Sequence, residues 1–204
     1  MSTLRIHPVI RRTPGQDPSL PAAVRVANQR RGARAVCHQC ADSMGHHLRR
    51  LTRDDQGQPE PCNGWHWAIS HTKSFVGGLV APFPIGIYVA RVRHRGQELV
   101  RISGSRFEYE LLGGFRWQAF ARLWSAKEAV LRKERSDISG MESCRLTAAP
   151  SERGLVLHFR GRHHYVHQRF SNGHYASVCA DLPDDTVLEW DWLDLPPEHK
   201  QAQA

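Results

Sequence analysis

The chain has 204 residues, 40% of them hydrophobic and 24% charged, with a formal net charge of +8 when histidine is neutral. That is enough for one large domain or two small halves sharing a core, and no apolar run is long enough to cross a bilayer. The first fifteen residues are basic without a continuous apolar stretch, unlike a secretion signal, and five cysteines point to a reduced, cytoplasmic setting.

Residues 1–21 read as a lead-in strand or loop. From Pro21 the pattern turns helical, with Val24, Ala27, Arg31, Arg34, Val36, Cys37, Cys40, Met44, Leu48 and Leu51 at three- and four-residue steps. Gly32 and Gly45 are expected to divide this stretch into two helices. Asp54–Cys62 is a turn-rich loop. Strands are expected at 65–71, 75–81 and 85–92, forming a short meander broken by Pro82-Phe83-Pro84. Helices follow at 107–112 and 117–134, then strands at 155–159, 165–170 and 175–180. The tail after Pro196 reads as disordered. The order of helix then three strands, twice over, predicts an α+β fold of two similar halves, 1–104 and 105–204.

The most informative segment is Trp117–Lys133. On a helix, Trp117, Phe120, Trp124 and Leu131 make one apolar stripe, with Leu123 and Val130 at its side. Lys127 falls inside the stripe and Glu128 along its edge. Buried charges are costly unless paired or bound to a ligand, so this position is either a salt-bridged seam or a site.

Trp124-Ser125-Ala126-Lys127-Glu128-Ala129 resembles the signature helix of the 4'-phosphopantetheinyl transferase superfamily, in its larger, monomeric, Sfp-type branch. Four further segments resemble the family in the right order. These are Asp55–Pro59, Trp67–Thr72 ending in Ser-His-Thr, Ile85-Gly86-Ile87, and His174–Cys179. The resemblance spans roughly residues 20–182. It implies two halves about a pseudo-twofold axis with coenzyme A between them, and a monomer. The implied reaction is transfer of phosphopantetheine from coenzyme A to a serine of an acyl or peptidyl carrier protein, assisted by Mg²⁺. His71 would meet the 3'-phosphate, Ser70 would shape its pocket, Lys127 and Arg132 would lie beside the phosphates, and Glu128 would ligate metal or act as base.

The match breaks where the family has two further carboxylates at alternate strand positions, because here they are Tyr88 and Ala90. Gln58 and Arg132 stand where the family carries lysines; arginine keeps the charge. A rearranged metal site would draw on Glu108 or Glu110. The alternative is a family member that binds coenzyme A, an acyl-coenzyme A or a carrier protein without transfer, or acts on a carrier-bound thioester.

Other readings are weaker. The positive charge suits polyanions, but the basic residues are scattered and no nucleic-acid motif is present, so no nucleic-acid partner is expected; nor is a membrane. Cys37-x-x-Cys40 lacks a second ligand pair and sits on an apolar helix face, which favours core packing over zinc. His163, His164 and His167 read as a solvated basic strand. Trp190 and Trp192 read as core or edge packing.

Overall fold

The computed structural model describes residues 3–184 and 186–192. Among them it is a mixed α+β fold with four α-helices and three sheets. The tail after Pro196 lies outside the described residues. Two short strands, β1 (Leu4–Ile6) and β2 (Val9–Arg12), precede a 22-residue helix, α1 (Ala22–Ser43). β3 (His66–His71), β4 (Phe75–Ala81) and β5 (Ile85–Arg91) follow, then α2 (Gln97–Ser103), α3 (Arg106–Glu110) and α4 (Trp117–Lys133). The chain closes with β6 (Arg145–Ser151), β7 (Gly154–Phe159), β8 (Arg162–Ser171), β9 (His174–Ala180), β10 (Thr186–Leu188) and β11 (Asp191–Trp192).

Three sequence expectations change. α1 runs unbroken past Gly32, because the buried stripe Ala33, Val36, Cys37, Cys40 and Ala41 continues beyond it; the segment after Gly45 is irregular rather than a second helix. β5 does not complete a meander with β3 and β4. The two prolines at 82 and 84 offer no N–H to continue a ladder, and β2 already pairs with β4 on the edge away from β3. β5 pairs antiparallel with β9 instead, giving one sheet in the order β11-β2-β4-β3 and another in the order β5-β9-β8-β7-β6. The sheets therefore exchange strands across residue 104, with β5 in the second and β11 in the first. The third change is β6, which escaped the sequence pattern because its pairing is bulged and only Leu146 among its residues is buried.

The two sheets stack face to face between the two long helices. Ile87 and Val89 of β5 and Ala176 and Val178 of β9 join the core built by α1 and the first sheet. The opposite face of β9 sends Cys179 into the core beneath α4, with Leu123, Leu131, Leu157 and Val166. Period-two alternation thus lets the second sheet serve both cores. Each long helix approaches its sheet over a glycine. A Cβ on Gly78 would strike the backbone of Val36 and Cys37 in α1, and one on Gly86 would collide with the Ala129 carbonyl oxygen in α4.

Backbone atoms cannot move aside as side chains do, so Gly86→Ala must push α4 off β5. We expect a loss of about 2 kcal/mol or more in urea unfolding, at or beyond the usual range for overpacking. An unchanged midpoint would contradict this packing.

Candidate functional site

A cleft of about 850 Å³ opens where α1, β3, β5 and α4 converge under the loop after Thr52. α1 contributes Arg30 and Arg34, one helical turn apart on one face. The loop contributes Arg53 and Gln58, β3 contributes Ser70 and His71, and β5 contributes Tyr88. α4 contributes Glu128 and Arg132, and the turn after it contributes Arg135 and Asp137. The loop is held by its own bonds. The Asp54 carboxylate accepts N–H bonds from Gln56 and Gln58 and pairs with Arg135, while the Trp67 indole donates to the Glu60 carbonyl.

The cleft is cationic. Burial lowers the proton affinity of Arg53, and Arg132, Arg34 and Arg30 lower it further. His71 is pushed below the ordinary histidine value by burial, then by Arg132, Arg30 and Arg53. Such a surface repels cations and is relieved by an anion.

Six of the residues singled out from the sequence, Gln58, Ser70, His71, Tyr88, Glu128 and Arg132, meet here. Ser70 is buried, and its hydroxyl accepts the Val89 N–H at 3.0 Å, so it pins the first sheet to β5 at the cleft floor. His71 lies at the end of the same strand. Glu128 is raised by burial, with the nearby Arg132 acting against this. Arg132 donates to the Ile69 carbonyl at 2.6 Å, lies 3.6 Å from the Glu128 carboxylate, and covers the Tyr88 ring at 4.8 Å. The Tyr88 phenol is itself raised, by burial and by Glu128.

Lys127 is a correction. It does not line the cleft; it is fully buried under α4, and its Nζ sits 2.8 Å from the Glu108 carboxylate. Glu108 is a correction too. It also accepts N–H bonds from Ser105, as part of the α3 capping box, and from Leu146 at the start of β6. Burial raises its proton affinity, but these bonds outweigh it and leave Glu108 below the ordinary carboxylate range. Neither residue is free for a phosphate or a metal. Glu110 pairs with exposed Arg106. Ala90 packs with Ala121 and Tyr175, away from the cleft.

Mg²⁺ favours a rigid oxygen octahedron supplied by carboxylates, phosphate and water. Here Glu128 has Arg132 beside it, and Asp137 spends one oxygen on Ser139. No group of three or more His, Cys, Asp or Glu able to hold a metal occurs among the described residues. The donor set does not fit the ion.

The remaining candidates are structural. Cys37 and Cys40 are buried in the first core, and burial pushes the Cys40 thiol up to about 12. His164 corrects the solvated-strand reading: it is buried, with Nδ1 3.4 Å from Lys133 Nζ, while His163 on the alternate face is exposed. Trp192 packs edge-on against Phe75, and Trp190 lies against the first core. No helix among the described residues is long and apolar enough to cross a membrane.

Sequence reasoning missed the arginines at 30, 34, 53 and 135. The i,i+4 spacing of Arg30 and Arg34 was a usable signal; Arg53 lies in a loop at a lone bridge to Pro59 and Arg135 in a turn, where periodicity carries none. Comparison with protein-family models finds no match, and comparison with curated proteins finds none.

Lys127→Met should leave the Glu108 charge buried and cost about 3–5 kcal/mol of stability, read by urea unfolding. Wild-type stability in that variant would contradict the pairing. For His71, NMR titration of the free protein should give a midpoint below 6.5. Inorganic phosphate favours the protonated ring, so its addition should raise that midpoint, and affinity should fall as pH rises through the bound-state value. A midpoint at 6.5 or above that ignores phosphate would remove His71 from the anion site.

Proposed function

We propose that the chain is a member of the 4'-phosphopantetheinyl transferase superfamily that holds coenzyme A in this cleft. The activity proposed is transfer of its phosphopantetheine arm to a serine of an acyl or peptidyl carrier protein. One observation carries the reading: His71 and Glu128, drawn from two separate motifs, line the same arginine-rich cleft between the sheets. The shared device of a long helix seated over a strand glycine supports two related halves. Coenzyme A carries a diphosphate and a 3'-phosphate, which suits a surface whose cations repel one another.

In the proposed step the carrier serine oxygen attacks the β-phosphorus of coenzyme A. A new P–O bond forms to serine, the diphosphate bridge breaks, and 3',5'-ADP leaves with the bridging electron pair. The serine proton passes to the Glu128 carboxylate, whose raised proton affinity suits a general base. Arg132 is set to stabilise the charge that develops on the phosphoryl oxygens.

A second reading, coenzyme A binding without transfer, is favoured by a specific observation: Tyr88 and Ala90 bring no carboxylate and Lys127 is consumed by Glu108.

The two separate on weighing an apo carrier protein by mass spectrometry after incubation with coenzyme A and this protein. A phosphopantetheine-sized gain is expected, and its absence despite coenzyme A binding selects the second reading. Glu128→Gln should slow transfer about 100-fold or more; full activity would remove Glu128 from the mechanism.

A further inference from the structure

We infer that this cleft takes the diphosphate of its ligand without a divalent cation, the Arg132 guanidinium supplying the positive charge a metal ion would otherwise bring. The inference rests on the reading of the cleft as a coenzyme A site and specifies how that site neutralises its ligand.

Three observations carry it. Glu128 has Arg132 at 3.6 Å on the next helical turn, so a cation approaching that carboxylate meets a guanidinium already beside it. The neighbouring β5 position holds the Tyr88 ring, which Arg132 covers at 4.8 Å; a cation–π contact fixes the guanidinium plane while leaving its edge for other partners. Arg132 Nε is buried, yet it has no hydrogen-bond partner among the described residues, the Glu128 oxygen being too distant. A buried guanidinium N–H without an acceptor is costly, and a phosphate oxygen in the cleft would supply one in the geometry arginine favours. The Nη1 bond to the Ile69 carbonyl aims the fork from β3, so the donor is set before the ligand arrives. Asp137, the other carboxylate at the cleft, is engaged with Ser139 in an exposed turn.

The test is isothermal titration of the full chain with coenzyme A and, separately, with inorganic pyrophosphate, each in Mg²⁺ and in EDTA. Dissociation constants in the two buffers should agree within about twofold, and Arg132→Gln should weaken both probes about 10- to 100-fold. Tyr88→Asp places a second carboxylate near Glu128 and should make affinity rise with Mg²⁺, a readout that survives if Arg132→Gln fails to fold. Binding of wild type that is lost in EDTA would overturn the inference and leave the coenzyme A reading intact. Metal-independent pyrophosphate binding without coenzyme A binding would support the inference and remove coenzyme A as ligand. Failure of both probes to bind would overturn both.

Discussion

The backbone contact between α4 and β5 at Gly86 governs the rest of the molecule. Because no side chain separates the strand from the Ala129 carbonyl and the Lys133 amide, α4 is held at one height and one rotation. Adjacent residues on it then meet opposite environments. Lys127 turns into the core and closes on Glu108, while Glu128 and Arg132 turn to the cleft beside Tyr88. Any side chain at 86 would displace the helix that separates the structural charge pair from the one facing the cleft.

The same packing sorts charge by whether it is satisfied. Glu108 gathers Lys127 and two backbone N–H groups, and Lys133 gathers Asp181 and Glu134, so the charges buried around α4 are compensated. The cleft is built the other way. Arg132, Arg34 and Arg30 lower the proton affinity of Arg53 after its burial, Arg132, Arg30 and Arg53 lower that of His71, and the main carboxylate among them is Glu128. Stability alone does not call for cations crowded in a half-buried space, because solvent would serve each of them better apart. A multiply charged anion relieves that crowding, whatever family the chain belongs to.

Much of this was legible in the sequence. Alternation located β3, β4, β5 and β7–β9, and helical spacing placed Lys127 inward and Glu128 at the edge. What stayed hidden was partnership. Period-two patterning says which face of β5 is apolar, but the choice of β9 over β4 depends on β2 and β3 occupying both edges of β4. Likewise the spacing of α4 shows that Lys127 is buried, but not that a carboxylate from α3 waits there instead of a phosphate. The family resemblance pointed the wrong way at that residue, because it compares positions and not the charges that face them. Arg53 and Arg135 were invisible for a simpler reason, since they sit in a loop and a turn whose geometry only the folded chain defines.

Crystallography of the protein with coenzyme A bears most directly on the account. The diphosphate should lie against Arg132, with the 3'-phosphate near His71 and the pantetheine arm running past Glu128. Density for the nucleotide on any other surface, with the arginine cleft holding only water, would contradict it.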